Sequence, residues 1–185
     1  MNLWLRLIWM LLTVWRRRQV SILGASSLSM RVMPNDLDFN GHVNNGRFLT
    51  LADVGRMDFV LRSGAAKAAF RMRALPIVGD SLAKFRRDLK LFERYELQTR
   101  LLGWDDKWTF MEHRFLRHGR VLGVVVIRGL FKGPQGPITP AAFLAAMDLR
   151  PEAPALPDWV LDWSRSCDAL SRNLRAEEEI AVTSA

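Results

Sequence analysis

The chain has 185 residues, 49% hydrophobic and 25% charged, with a net charge of +8 at pH 7. Those values describe one globular domain with appendages and a sizeable core. The charge points to an anionic partner such as nucleic acid, a membrane surface or a phosphorylated small molecule. Aromatic-rich RNA-binding signatures and zinc-finger spacings are absent, which argues against nucleic acid. The single cysteine, Cys167, excludes an intrachain disulfide and has no nearby histidine. It reads as an ordinary thiol in a reducing compartment rather than as a nucleophile.

The first element, Leu3 to Trp15, is almost entirely apolar, interrupted by Arg6 and Thr13 and followed by Arg16-Arg17-Arg18. A secretory signal places its charge first, and a membrane span needs about 20 apolar residues. Neither fits. Trp4, Trp9 and Trp15 beside a basic cluster suit a helix lying in the lipid interface. Docking on the domain or on a partner subunit is the alternative. Residues 1–18 are therefore read as a separate apolar and basic helix, and the protein as cytoplasmic with peripheral membrane contact.

Leu28, Met30 and Val32 alternate with polar residues, predicting a half-buried strand that ends at Pro34. The next twelve residues, from Asn35 to Gly46, gather Asp36, Asp38, His42 and several carboxamides. A site that holds and polarises a carbonyl while directing water or a carboxylate at it needs such groups together. A capped turn would use the same residue types. From Asn45 to about Gly64 the period is helical, with Phe48, Leu51, Ala52, Gly55, Phe59 and Val60 on one stripe, Asn44 as N-cap and Gly64 as the stop. A basic connector (Lys67, Arg71, Arg73) follows. After Gly79 a two-residue period predicts antiparallel strands turning at Asp105-Asp106-Lys107 and at His118-Gly119. His113 and His118 read as structural. A strand, a long helix and a meander give a two-layer α+β domain over residues 26–147. Residues 148–185 comprise a proline-rich linker, an amphipathic helix from Asp158 through Trp159, Trp163 and Leu174, and a loose acidic tail.

The motif Asp36-Leu37-Asp38-Phe39-Asn40-Gly41-His42-Val43-Asn44-Asn45 resembles that of the 4-hydroxybenzoyl-CoA thioesterases and the plant acyl-carrier-protein thioesterases. With Gly46-Arg47-Phe48, Asp53-Val54-Gly55-Arg56, Phe85-Arg86-Arg87 and Leu102-Gly103-Trp104-Asp105, the chain is similar to the branch containing thioesterase superfamily member six. The resemblance implies a hotdog fold, an antiparallel sheet wrapped around a long central helix, and acyl-CoA or acyl-carrier thioester hydrolysis by a homodimer or homotetramer. It implies no metal or redox cofactor. One pattern makes Asp36 the attacking nucleophile or base, the favoured assignment; the other uses Asp38, Asn40 and His42. In the plant enzymes a further acidic residue follows a Tyr-Arg-Arg sequence, which Phe85-Arg86-Arg87-Asp88 resembles weakly. Many relatives carry Tyr where Phe48 stands. The amides near Asn44, Asn45 and Gly46, at the positive end of the helix, would hold the oxyanion. Arg86 and Arg87 would meet the phosphates of the pantetheine carrier. A non-catalytic acyl-binding or membrane-associated protein of the same fold is the alternative. The histidine pattern of the dehydratases on this fold is absent.

Overall fold

The computed structural model describes residues 3–183 and divides into two compact units, Met1–Ala153 and Pro154–Ala185. In the first, helix α1 (Leu3–Val14) precedes strand β1 (Ala25–Arg31), a single 3-10 turn (Pro34–Asp36) and the long helix α2 (Asn45–Arg62). Helix α3 (Ala65–Arg71), strands β2 (Leu75–Phe85), β3 (Arg94–Trp104), β4 (Thr109–Arg117), β5 (Arg120–Gly133) and β6 (Gly136–Ile138), and helix α4 (Pro140–Ala145) complete it. The second unit consists of helix α5 (Asp158–Thr183) and the segment before it.

The sheet is antiparallel throughout, in the order β1-β3-β4-β5-β2, with β6 paired to β5. Helix α2 lies across it, giving the two layers that the alternating strands and the single long amphipathic helix require. Phe48, Leu51, Ala52 and Phe59 of α2 form one buried cluster with Leu28, Leu97, Phe115, Val125 and Ile127 of the sheet. Each of the larger side chains so buried, Ala52 excepted, contributes roughly 1.5–3 kcal/mol. Phe48 stands edge-on to Phe115 at 4.7 Å and to Phe85 at 5.2 Å, so a phenol there would have to place its hydroxyl among aromatic neighbours. The approach of α2 depends on Gly55: a Cβ there would stand 2.6 Å from Thr99 Oγ1 and 2.9 Å from Leu97 Cδ2.

Three expectations need correction. The basic connector is the helix α3, because Ala65, Ala68 and Ala69 supply helix propensity and a small buried face. Strand β2 starts at Leu75 rather than after Gly79, since Gly79 sits in a register shift between Val78 and Asp80 and does not open the strand. Helix α5 continues through Glu177, Glu178 and Glu179, where a loose tail was expected; alanine and glutamate are good helix formers without tertiary help. The turn at His118-Gly119 has both residues at positive φ (49° and 72°), the backbone that a two-residue hairpin requires.

Candidate active site

The segment between the 3-10 turn and α2 closes on itself. Leu37 bridges Val43, the Asp38 N–H donates to the His42 carbonyl, and the Asn40 N–H donates to Asp38 Oδ1 at 2.9 Å. Gly41, at φ 75°, makes the reversal. The Asn44 N–H then donates to the Asp36 carbonyl and the Val43 N–H to the Leu89 carbonyl, both at 2.9 Å. This small hairpin leaves Asp38 and His42 partly exposed and Asn40, Asn44, Asn45 and Gly46 exposed at the start of α2.

Asp36 points the other way and is fully buried. Its Oδ1 accepts from Arg6 Nη1 at 3.0 Å and from Arg47 Nε and Nη2 at 3.2 and 2.9 Å. Its Oδ2 accepts from Arg6 Nη2 at 2.5 Å and from the Met33 N–H at 2.9 Å. Burial acts to raise the carboxyl pKa, but the hydrogen bonds from Arg6, the Met33 amide and Arg47 outweigh it and hold the group below its ordinary 3.8. A carboxylate with five donors on two oxygens has no lone pair aimed at solvent. Attack by Asp36 on a thioester requires Arg6 and Arg47 to let go.

A matching cluster surrounds a second buried carboxylate, Asp58 of α2. Asp58 accepts from Arg17 and, at 3.0 Å, from Arg62 Nη1, while Arg62 Nε donates to the Arg18 carbonyl at 2.8 Å. The same sequence spacing separates Arg6 from Arg17 as separates Arg47 from Asp58, so α1 runs alongside α2 in the same direction, pinned at both ends.

What faces outward is an imidazole and a carboxylate from distant parts of the sequence. His42 Nε2 lies 3.3 Å from Asp88 Oδ2, both side chains about half exposed. A backbone bridge between His42 and Lys90 brings the segment after β2 beside the hairpin. That segment also carries the exposed Arg86 and Arg87, whose N–H groups both donate to the Leu122 carbonyl. The sequence motif reveals His42, but its partner Asp88 is signalled only by the weak Arg-Arg-acid pattern. Arg6 stands out in the sequence only as the lone charge in an apolar run and Arg47 only as part of Gly46-Arg47-Phe48, and neither signal points to Asp36.

At the start of α2, Asn44 caps the helix as its sequence position suggests, its Oδ1 accepting from the Gly46 N–H at 2.9 Å. An oxyanion using the Gly46 amide must displace that cap. Among the described residues no cluster of acidic, histidine or cysteine side chains could hold a metal ion. His113 belongs to the core: its Nδ1 is 3.0 Å from Thr99 Oγ1, and burial, helped by the Arg56 charge, pushes its pKa down to about 3.

The family model for the thioesterase-like superfamily matches residues 32–164. Protein THEM6 from Xenopus laevis is 35% identical over 166 residues, covering 88% of this chain and 78% of that protein. Among solved structures, the probable thioesterase YbaW from Escherichia coli superposes with TM-score 0.61 at 17% identity, over 66% of this chain and 96% of that one. A gentisyl-coenzyme A thioesterase superposes with TM-score 0.55 at 18% identity, over 66% and 99%. The structural neighbours share the hotdog fold expected from the sequence. This chain belongs to the thioesterase-like superfamily.

Proposed function

We propose that the protein is an acyl thioester hydrolase, acting on acyl-CoA or an acyl carrier, with His42 as general base and Asp88 as the group that orients it. The observation that carries this reading is the His42–Asp88 contact at the mouth of the hairpin, beside the positive end of α2. With Nε2 turned toward the Asp88 carboxylate 3.3 Å away, Nδ1 is the nitrogen that takes a proton from water. Hydroxide adds to the thioester carbon, the carbonyl oxygen becomes an oxyanion near Asn45 and the Asn40 and Asn44 side chains, and the C–S bond breaks. The imidazolium returns the proton to the departing thiolate, giving acid and thiol. Asp38 holds the loop that presents these groups, and Asp36 fixes the whole hairpin through Arg47. Arg86 and Arg87 lie in the segment that carries Asp88 and serve the carrier phosphates.

Two further parts belong to the proposal. Strand β2 is a sheet edge whose apolar residues Leu75, Ile77, Val78 and Phe85 are exposed, a surface that suits a homodimer or homotetramer. Residues 1–18 give the protein a peripheral seat on a membrane.

A free-thiol assay over short, medium, long and aromatic acyl-CoAs tests the activity. General bases contribute about 10²–10⁴-fold, so His42→Ala is expected to lose that much turnover and Asp88→Asn a smaller share. The competing assignment, direct attack by Asp36, predicts that Asp36→Asn abolishes turnover while His42→Ala retains it. A second reading, an acyl-binding protein without turnover, draws on the sealed Asp36 carboxylate and the capped Gly46 amide. Thiol release no faster than the uncatalysed rate across the whole panel would establish it.

A further inference from the structure

Helix α1 divides its residues sharply. Leu3, Leu7, Met10 and Val14 turn inward to the core cluster of α2. Arg6, the only charge within the helix, also turns inward to Asp36, and Arg17 just beyond it turns inward to Asp58. The outward face is left without charge. Trp4, Leu5, Leu12 and Trp15 are 69, 70, 73 and 86% exposed, and Ile8, Trp9 and Leu11 join them in one stripe. An apolar groove of about 470 Å³ between α1 and β1, lined by Leu5, Trp9, Met10, Leu28 and Met30, extends this surface. At the end of the stripe the side chains of Arg16 and Arg18 are exposed.

We propose that this face of α1 docks on an anionic lipid bilayer, with Trp4, Leu5, Ile8, Leu12 and Trp15 sunk at the headgroup level and Arg16 and Arg18 on the phosphates. The proposal rests on the peripheral seat assigned above to residues 1–18 and is independent of hydrolysis. Bilayer chemistry explains the pattern better than a protein partner does. Tryptophans combine an apolar body with a polar N–H, which suits the boundary between tails and water. Basic residues at one edge match an anionic surface. The helix has 12 residues, so at 1.5 Å per residue it is about 18 Å long against a hydrocarbon core of about 30 Å. That length suits a helix lying in the plane of the interface. No helix among the described residues is long and apolar enough to span.

Co-sedimentation of the full chain with vesicles of phosphatidylcholine, alone or with phosphatidylglycerol, tests this. Binding is expected to the anionic vesicles with a blue shift of tryptophan emission, and to weaken as salt is added. L5S/L12S, at exposed positions, is expected to weaken binding on the order of tenfold or more. R16E/R18E is expected to weaken it at least roughly fivefold per arginine, with unchanged circular dichroism. Equal binding to neutral vesicles, or no binding to either kind, would overturn the proposal. So would a change of oligomeric state in L5S/L12S without a change in vesicle binding, which would make a second copy the occupant. Vesicle binding and thiol release are read separately, so an inactive protein that binds anionic vesicles leaves the docking intact.

Discussion

Arg6 reaches from the apolar N-terminal helix to grip both oxygens of the buried Asp36, the first acidic residue of the sequence motif. The pair links α1, the end of β1 and the first turn of α2, because Arg6 also donates to the Arg31 carbonyl at 2.8 Å and Arg47 shares the same carboxylate. Removing Asp36 leaves both Arg6 and Arg47 without their carboxylate, a loss of about 3–5 kcal/mol. Removing Arg6 leaves Asp36 still bonded to Arg47 and to the Met33 amide and costs less. Asp36→Ala is expected to lower stability by that larger amount in urea titrations, and Arg6→Ala by less, because Arg47 keeps its hold on the carboxylate. Replacing both Arg6 and Asp36 by apolar residues should cost less than the sum, because the loss of their mutual contact is then counted once, although Arg47 still loses its carboxylate. The sign with pH follows from the depressed carboxyl: its contribution is full above its ordinary 3.8 and fades as pH falls through the lower folded value. Additive losses in the double variant would show that the two residues do not act as a pair.

Gly55 offers a cleaner test of packing. An alanine there gains up to about 1 kcal/mol of helix propensity. The new methyl, however, meets Thr99 Oγ1 at 2.6 Å and Leu97 at 2.9 Å, neither of which can retreat within a buried sheet face. Overpacking costs about 1–3 kcal/mol, so the clash outweighs the propensity. Gly55→Ala is expected to be destabilised by thermal melting. A raised melting temperature would mean that α2 stands further from the sheet than these distances say.

How far the sequence could be read follows from the range of each signal. The stripe Phe48-Ala52-Gly55-Phe59 and the alternation in β3 to β5 are local periodicities, so α2 and the meander are legible without coordinates. The hairpin from Leu37 to Val43 is legible as a dense polar motif. The direction in which Asp36 points is not, because its partners Arg6 and Arg47 come from two different helices and charge pairing across elements leaves no periodic trace. The same holds for Asp88, brought to His42 by a single backbone bridge. Asp58 was hidden for a different reason: it shares the buried side of α2 with apolar residues, and only Arg17 and Arg62 make that tolerable.

The exposed edge of the sheet makes a prediction about assembly. Strand β2 has 11 residues and exposes apolar side chains along its length, a combination that solitary edge strands avoid. Sedimentation equilibrium is expected to find a dimer or tetramer. Ile77→Lys with Val78→Lys should shift it toward monomer without unfolding, since both positions are exposed in the isolated chain. An unchanged sedimentation profile in that variant would exclude β2 as the contact.

The buried His113 sets the last prediction, on stability against pH. Its folded pKa, about 3, lies below the ordinary 6.5 because burial beside Thr99, with Arg56 nearby, disfavours the imidazolium. Between those values the unfolded chain binds a proton that the folded chain refuses, so stability falls as pH drops below 6.5. By about pH 5, before most carboxylates titrate, this one residue should account for a loss of about 2 kcal/mol. Urea midpoints followed from pH 7 to 5, values set by those ordinary pKa ranges, should therefore decline in the wild type. They should stay nearly flat in His113→Phe, although that variant starts lower because Thr99 loses its partner. Parallel curves would place the imidazole in contact with water and contradict its complete burial.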